Sequence, residues 1–158
     1  MSSANSPAAV VVVGVGNAWA GDDAAGLLVA RMVRDRAPAG LAVVEHEGEP
    51  TALMDAWSGA ALAIVVDATV GGGEPGDVSV IEATHQPLGR GFAGTSTHAF
   101  GRAETVELAR ALGRLPQRLV VVGIEGKAFT AGAEPGAAVT AALREAAERV
   151  LALATATA

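Results

Sequence analysis

The strongest constraint on the fold is a set of four short apolar runs with almost no polar interruption. They are AVVVVGV at 9–15, LAVVE at 41–45, ALAIVVD at 61–67 and LVVVGI at 119–124. Such runs, rich in valine and bounded by turn residues, read as strands covered on both faces, the arrangement of a parallel sheet between helices. A fifth run, DVSVIE at 77–82, alternates apolar with polar residues, so one of its faces is expected to meet water. It follows the third strand after the turn-rich TVGGGEPG, a hairpin signal, which predicts an antiparallel strand at an edge.

Helical patterns fill the gaps. Asp22 is placed to cap a helix that runs to about Arg36 and stops before Pro38. A shorter helix is expected over about 51–59, and a third from about Ala103 to Leu112 with Val106, Ala109 and Leu112 facing inward. The last begins near Gly136 and puts Val139, Leu143, Ala146 and Val150 on one stripe. The expected fold class is therefore α/β, a three-layer αβα sandwich with a mixed, mostly parallel five-stranded sheet and one antiparallel edge-region strand. The 158 residues read as a single domain, 1–158, with a polar lead at 1–8 and a frayed tail at 152–158. Right-handed crossovers give a local strand order 2-1-3. That order opens a crevice between strands one and three at their carboxyl ends, where α/β folds take ligands.

Composition acts mainly by exclusion. A formal net charge of −6 disfavours non-specific binding to nucleic acid or anionic membranes. Apart from Lys127 the basic residues are scattered arginines, which form no run. Aromatics at 3% provide no stacking platform for single strands. The lack of cysteine removes disulfides, thiolate zinc sites, iron–sulfur clusters and cysteine nucleophiles together. MSSANSPAA has no basic n-region, and no apolar run approaches the ~20 residues of a membrane span. These features point to a soluble, cytoplasmic protein with no nucleic-acid partner and no membrane insertion.

The candidate chemistry sits at strand ends. VVVVGVGNAWAGDDAAG, residues 10–26, opens like a phosphate-gripping turn, then puts Asp22 and Asp23 where a phosphate needs amides and positive charge. The dinucleotide fingerprint also fails at its third glycine, where Trp19 stands; Glu45 or Glu47 as a ribose-binding acid keeps a dinucleotide-binding module as an alternative. Asp67 ends the third strand after a run so apolar that a carboxylate is out of character, and His98 lies in the loop TSTHAFG. One or both of the paired acids, with Asp67 and His98, make an oxygen and nitrogen donor set with open positions, suited to zinc, nickel, cobalt or manganese. Each also has a purely structural reading: Asp22 as a helix cap, Asp23 as an acid favoured by the helix dipole, Asp67 as a holder of loop amides, His98 as a loop residue. His46 and His85 fall away from the crevice. No G-x-S-x-G, H-E-x-x-H or G-x-x-x-x-G-K-[ST] stretch occurs, and Ser96, two residues from His98, makes a poor nucleophile.

Taken together and in order, GVGNAWAGDDAAG, IVVDATVGGGEPGDVSVIE, TSTHAFG and VVVGIEG resemble the hydrogenase maturation endopeptidases, which trim the C-terminal extension from the large subunit of nickel–iron hydrogenases. The likeness spans about residues 9–150. It implies a mixed five-stranded sheet between helices and an aspartyl endopeptidase-like hydrolase. It also implies metal contacts from Asp23, the second of the acid pair, and from Asp67 and His98. The metal implied is nickel already installed in the precursor subunit, so that the protease carries none at rest, with another divalent metal able to occupy the set in vitro. The partner implied is that precursor. Backbone amides around Gly16 and Asn17 are expected to serve as oxyanion donors, with Gly48 on the substrate rim. Three departures touch the pattern: Ala24 replaces a glycine, EHEGEPT keeps only Gly48 of the usual Asp-Gly-Gly-Thr or Asp-Gly-Gly-Ser, and GIEG replaces Gly-Ile-(Glu or Gln)-Pro. A non-catalytic chaperone of the same fold, inspecting the nickel site without cutting, is the competing reading.

Overall fold

A strand apolar at every position needs cover on both faces, and β1 (Val10–Val15), β3 (Leu62–Thr69) and β5 (Leu119–Glu125) are buried along almost their whole length. They form the centre of a five-stranded sheet, with β2 (Ala42–His46) at one edge and β4 (Val78–Glu82) at the other, in the order β2-β1-β3-β5-β4. The computed structural model describes residues 9–89, 92 and 101–156. Neighbouring strands are parallel except β4, which runs antiparallel to β5.

Side chains alternate across the sheet. Val12, Ile64, Val66 and Val122 meet α1 (Ala25–Arg36) and α4 (Ala137–Ala156) through Val29, Val33, Leu143 and Val150. Val11, Val13, Val65 and Val121 meet residues of α2 (Pro50–Trp57) and α3 (Arg102–Leu112), notably Leu53, Trp57, Val106 and Ala109. Each large aliphatic side chain fully buried in these layers contributes about 1.5–3 kcal/mol. The buried Trp57 ring keeps its donor satisfied, Nε1 to Arg114 O at 2.7 Å. Gly26 lets α1 start hard against the sheet: a Cβ there would lie 2.3 Å from the carbonyl oxygens of Val15 and Val66. That close approach fixes where the loop before α1 must pass.

The three layers, the 2-1-3 order and the antiparallel edge strand agree with the sequence reading. Four details do not. β4 pairs with β5 and not with β3, because the fully apolar β5 needs an interior slot and displaces the half-polar β4 outward. β2 is half-exposed along its length, as its edge position dictates. Leu112 ends α3 at 59% exposure instead of facing inward. α4 continues to Ala156, past the expected fraying point at 152, because Ala154 is still buried and the Thr155 hydroxyl donates to Leu151 O at 2.8 Å. Among the described residues no helix is long and apolar enough to cross a membrane.

Candidate active site

Strand alternation decides where Asp67 goes. It shares a face with Val65, on the side that packs against α2 and α3, so its carboxylate leaves the sheet toward the start of α3. There it meets Arg102, the first residue of that helix: Asp67 Oδ2 lies 2.8 Å from Arg102 Nε in a buried ion pair. Asp67 Oδ1 accepts from the Ala68 amide at 2.9 Å. Arg102 also donates from Nη1 to Gly48 O at 3.0 Å, and Gly48, at φ +104, has no room for a Cβ, which would come within 2.6 Å of the guanidinium.

The loop leaving β1 delivers the second carboxylate. Asn17 closes a small turn by accepting the Trp19 amide on Oδ1 at 2.9 Å, and Gly21–Ala24 then forms a 3-10 turn before α1 begins. The two adjacent acids of that turn diverge. Asp22 is buried and accepts three backbone amides: Lys127 and Ala128 on Oδ2 at 2.8 and 3.0 Å, and Gly136 on Oδ1 at 2.7 Å. It therefore does not cap α1, as the sequence reading expected; it clamps the loop between β5 and α4, 105 or more residues away in the chain. Asp23 is half-buried and turned elsewhere, close enough to Arg102 and Asp67 for the three charges to influence one another.

Burial raises the proton affinity of Asp23, opposed by the Arg102 charge and a hydrogen bond from the Asn17 backbone. Asp67 is pushed up to about 7, chiefly by burial, with Arg102 opposing, the neighbouring Asp23 charge adding to the rise, and the Ala68 amide and the Arg102 hydrogen bond opposing. Burial also acts to raise Asp22, but its three amide donors together outweigh it and hold that carboxyl below the usual range. Two acids side by side in the chain thus have opposite electrostatics. Asp22 is an ionised clamp, whereas Asp23 and Asp67 are electrostatic neighbours that both feel the Arg102 charge.

Of the remaining expected site residues, His98 lies outside the described residues. The amides of Gly16 and Asn17 are engaged inside the turn, donating to His46 O at 3.1 Å and to Asp23 O at 3.2 Å. Both amides thus have backbone acceptors in this arrangement. Gly48 is buried, with its carbonyl on Arg102. Among the described residues no group of three metal-binding side chains forms; they supply the two carboxylates. His46 ends β2 and lines a separate cleft of about 410 Å³ whose wall includes Gly16 and Trp19 but neither Asp23 nor Asp67.

Arg102 is the residue that sequence reasoning missed. Its signal was available: an arginine opening a helix opposes the helix dipole, and this one directly follows the TSTHAFG loop. Glu125, in the GIEG segment, is also buried and organises the end of β3, accepting the Thr69 hydroxyl at 2.8 Å and the Gly71 amide at 3.0 Å. Trp19 is the opposite case, a large ring left 79% exposed. It stands between the cleft beside His46 and a second one of about 270 Å³ that reaches Pro135.

Comparison with known proteins supplies the context. A family model described as hydrogenase maturation protease matches residues 28–153, a range that includes Asp67 and begins just after the paired acids. Among solved structures, the hydrogenase maturating endopeptidase HybD from Escherichia coli is 23% identical with a TM-score of 0.79, over 94% of this chain and 93% of that one. The HycI maturation protease from Thermococcus kodakarensis is 22% identical with a TM-score of 0.69, over 94% and 93%. A hydrogenase 2 maturation peptidase from a Thaumarchaeota archaeon is 25% identical with a TM-score of 0.64, over 91% and 96%. No curated protein is similar enough in sequence to count as a relative.

Proposed function

This chain belongs to the hydrogenase maturation protease family, and on that premise we propose that it removes the C-terminal extension of a nickel–iron hydrogenase large-subunit precursor once nickel is in place. As a member of that family it is an endopeptidase, a hydrolase. Nickel enters as part of the substrate, carried by the precursor, and Asp23, Asp67 and His98 contact it. The observation that supports this reading is that Asp23, in the loop after β1, lies near enough to Asp67, on the adjacent β3, for its charge to act on that carboxylate.

Docking of the nickel-bearing precursor holds the scissile peptide beside the carboxylate pair, and that positioning supplies part of the rate. A water next to the pair attacks the carbonyl as it gives up its proton. A carboxylate of the pair accepts that proton and returns it to the leaving amine. Trp19, exposed between two clefts, is a contact for the precursor outside the reacting centre. The protein works where hydrogenase is assembled, in the cytoplasm.

Incubating the nickel-loaded precursor with the wild type should remove one discrete C-terminal peptide, read by mass spectrometry. Asp23→Ala and His98→Ala should each leave the precursor at full length while keeping the folded circular-dichroism spectrum. Cleavage at the normal rate by either folded variant would refute the assignment. An intact precursor held in a stable complex with the wild type would instead identify a non-catalytic inspector of the nickel site.

A further inference from the structure

The ion pair between Arg102 and Asp67 has a cost that folding alone does not explain. Arg102 opens α3, where the helix dipole already presents positive charge, and it is buried there. Its guanidinium donates from Nη1 to the Gly48 carbonyl, meets Asp67 Oδ2 through Nε, and packs closely on Gly48. Asp67 in turn has both oxygens engaged, Oδ1 by the Ala68 amide and Oδ2 by Arg102. A divalent ion approaching this carboxylate therefore finds a cation already seated on the oxygen that faces α3.

We propose that Arg102 is the resident counter-cation of the Asp23 and Asp67 carboxylates, and that an incoming divalent ion must compete with its guanidinium for Asp67. The inference rests on the reading of Asp23 and Asp67 as the nickel-contacting pair and adds a residue that sets how readily that pair accepts an ion. In the resting protein the guanidinium pairs with the buried carboxylate and holds it toward α3. It also repels free divalent ions, so a bare ion binds weakly. An ion delivered by a docked precursor, held by that subunit's own ligands, displaces the guanidinium from Oδ2 while Gly48 O still accepts from Nη1. Arg102 is thus a positioning and specificity residue that favours protein-borne nickel over the free ion.

The test is a calorimetric titration of the full-length protein with Ni²⁺ alone, which needs no proteolysis. Arg102→Met should bind Ni²⁺ at least tenfold more tightly than the wild type, and Arg102→Lys, which keeps the charge, should stay within about threefold of it. The gain should vanish in the double variant Arg102→Met/Asp67→Asn. A folded Arg102→Met that binds no more tightly than the wild type, while Asp67→Asn still weakens binding, would overturn the competition and leave the carboxylate site standing. If Asp67→Asn changed nothing in either background, the site reading itself would fail, and the competition with it. Should Arg102→Met not fold, the wild type answers alone. Saturation with diamagnetic Zn²⁺ should shift the Arg102 Nε–H resonance and speed its exchange with solvent, and an unmoved resonance at saturation would refute the proposal.

Discussion

Replacing Asp22 by Asn keeps the shape of the side chain and removes its ability to accept on both sides. The carboxylate takes Lys127 and Ala128 amides on Oδ2 and the Gly136 amide on Oδ1. An asparagine can satisfy the first two with its carbonyl oxygen, but its NH₂ then faces the Gly136 N–H, donor against donor. Hydrogen bonds to a charged acceptor are worth about 1.5–3 kcal/mol each, and a buried donor left without a partner costs about 1–3 kcal/mol. With relaxation, the expected net loss is roughly 2–4 kcal/mol. For a chain of this length that corresponds to a fall in Tm of about 5–15 °C, measured by thermal unfolding at pH 7. The pH dependence adds a second handle. The folded-state pKa of Asp22 is depressed below its ordinary 3.8, so the contribution of the carboxylate is present above that value and is lost as pH falls through the folded-state value. The difference between wild type and variant should be full at pH 6–8 and shrink below about pH 4. A Tm within 2 °C of the wild type at pH 7 would mean that the three-amide clamp does not hold the two loops together.

Asp67 has the opposite sign: its pKa is raised from 3.8 to about 7, so the folded state binds its proton more tightly than the unfolded chain does. Its own contribution to stability should therefore be largest below the ordinary value and decline, by a few kcal/mol at most, as pH rises through the interval to about 7. Asp67→Asn should lack that decline in urea unfolding measured from pH 4 to 8, and parallel curves for the two proteins would refute the assignment. Trp19→Ala should leave stability within about 0.5 kcal/mol, since the ring is 79% exposed. The same variant should weaken precursor binding about tenfold by interferometry, and unchanged binding would remove Trp19 from the docking surface.

The sheet was legible because burial on two faces leaves an unmistakable record in residues such as Val11, Val12 and Val13. The alternating Val78–Glu82 likewise announced an edge. What stayed hidden was pairing across long loops. The TVGGGEPG turn read as a hairpin, yet Glu125 enters that turn from β5: Gly76 N donates to Glu125 O at 2.8 Å, and Glu125 N to Asp77 O at 2.8 Å. No local pattern records that β5 inserts between β3 and β4. Asp67 was legible by contrast with its neighbours, a charge at the end of an apolar run. Arg102 was legible only in part: an arginine at a helix start is unusual, but its partner lies 35 residues earlier in the chain and an arginine on a helix is ordinarily a surface residue.

The paired acids show why spacing alone left their roles open. Asp22 and Asp23 share the local signature of a helix start, and either would serve as a cap. Their division of labour comes from the loop between β5 and α4. Gly21 N donates to Ala133 O, Asp22 N to Ala128 O and Gly132 N to Trp19 O, so the two loops are joined at several points before either side chain is considered. With the backbone so held, the Asp22 carboxylate has amides to accept, and the neighbouring Asp23 is left within electrostatic reach of Arg102 and Asp67. Asp22 is therefore part of the site without touching substrate. The clamp fixes the 3-10 turn, and the turn aims Asp23. Loosening it should cost catalysis through the placement of Asp23 as well as stability, and the two losses should rise together in Asp22→Asn.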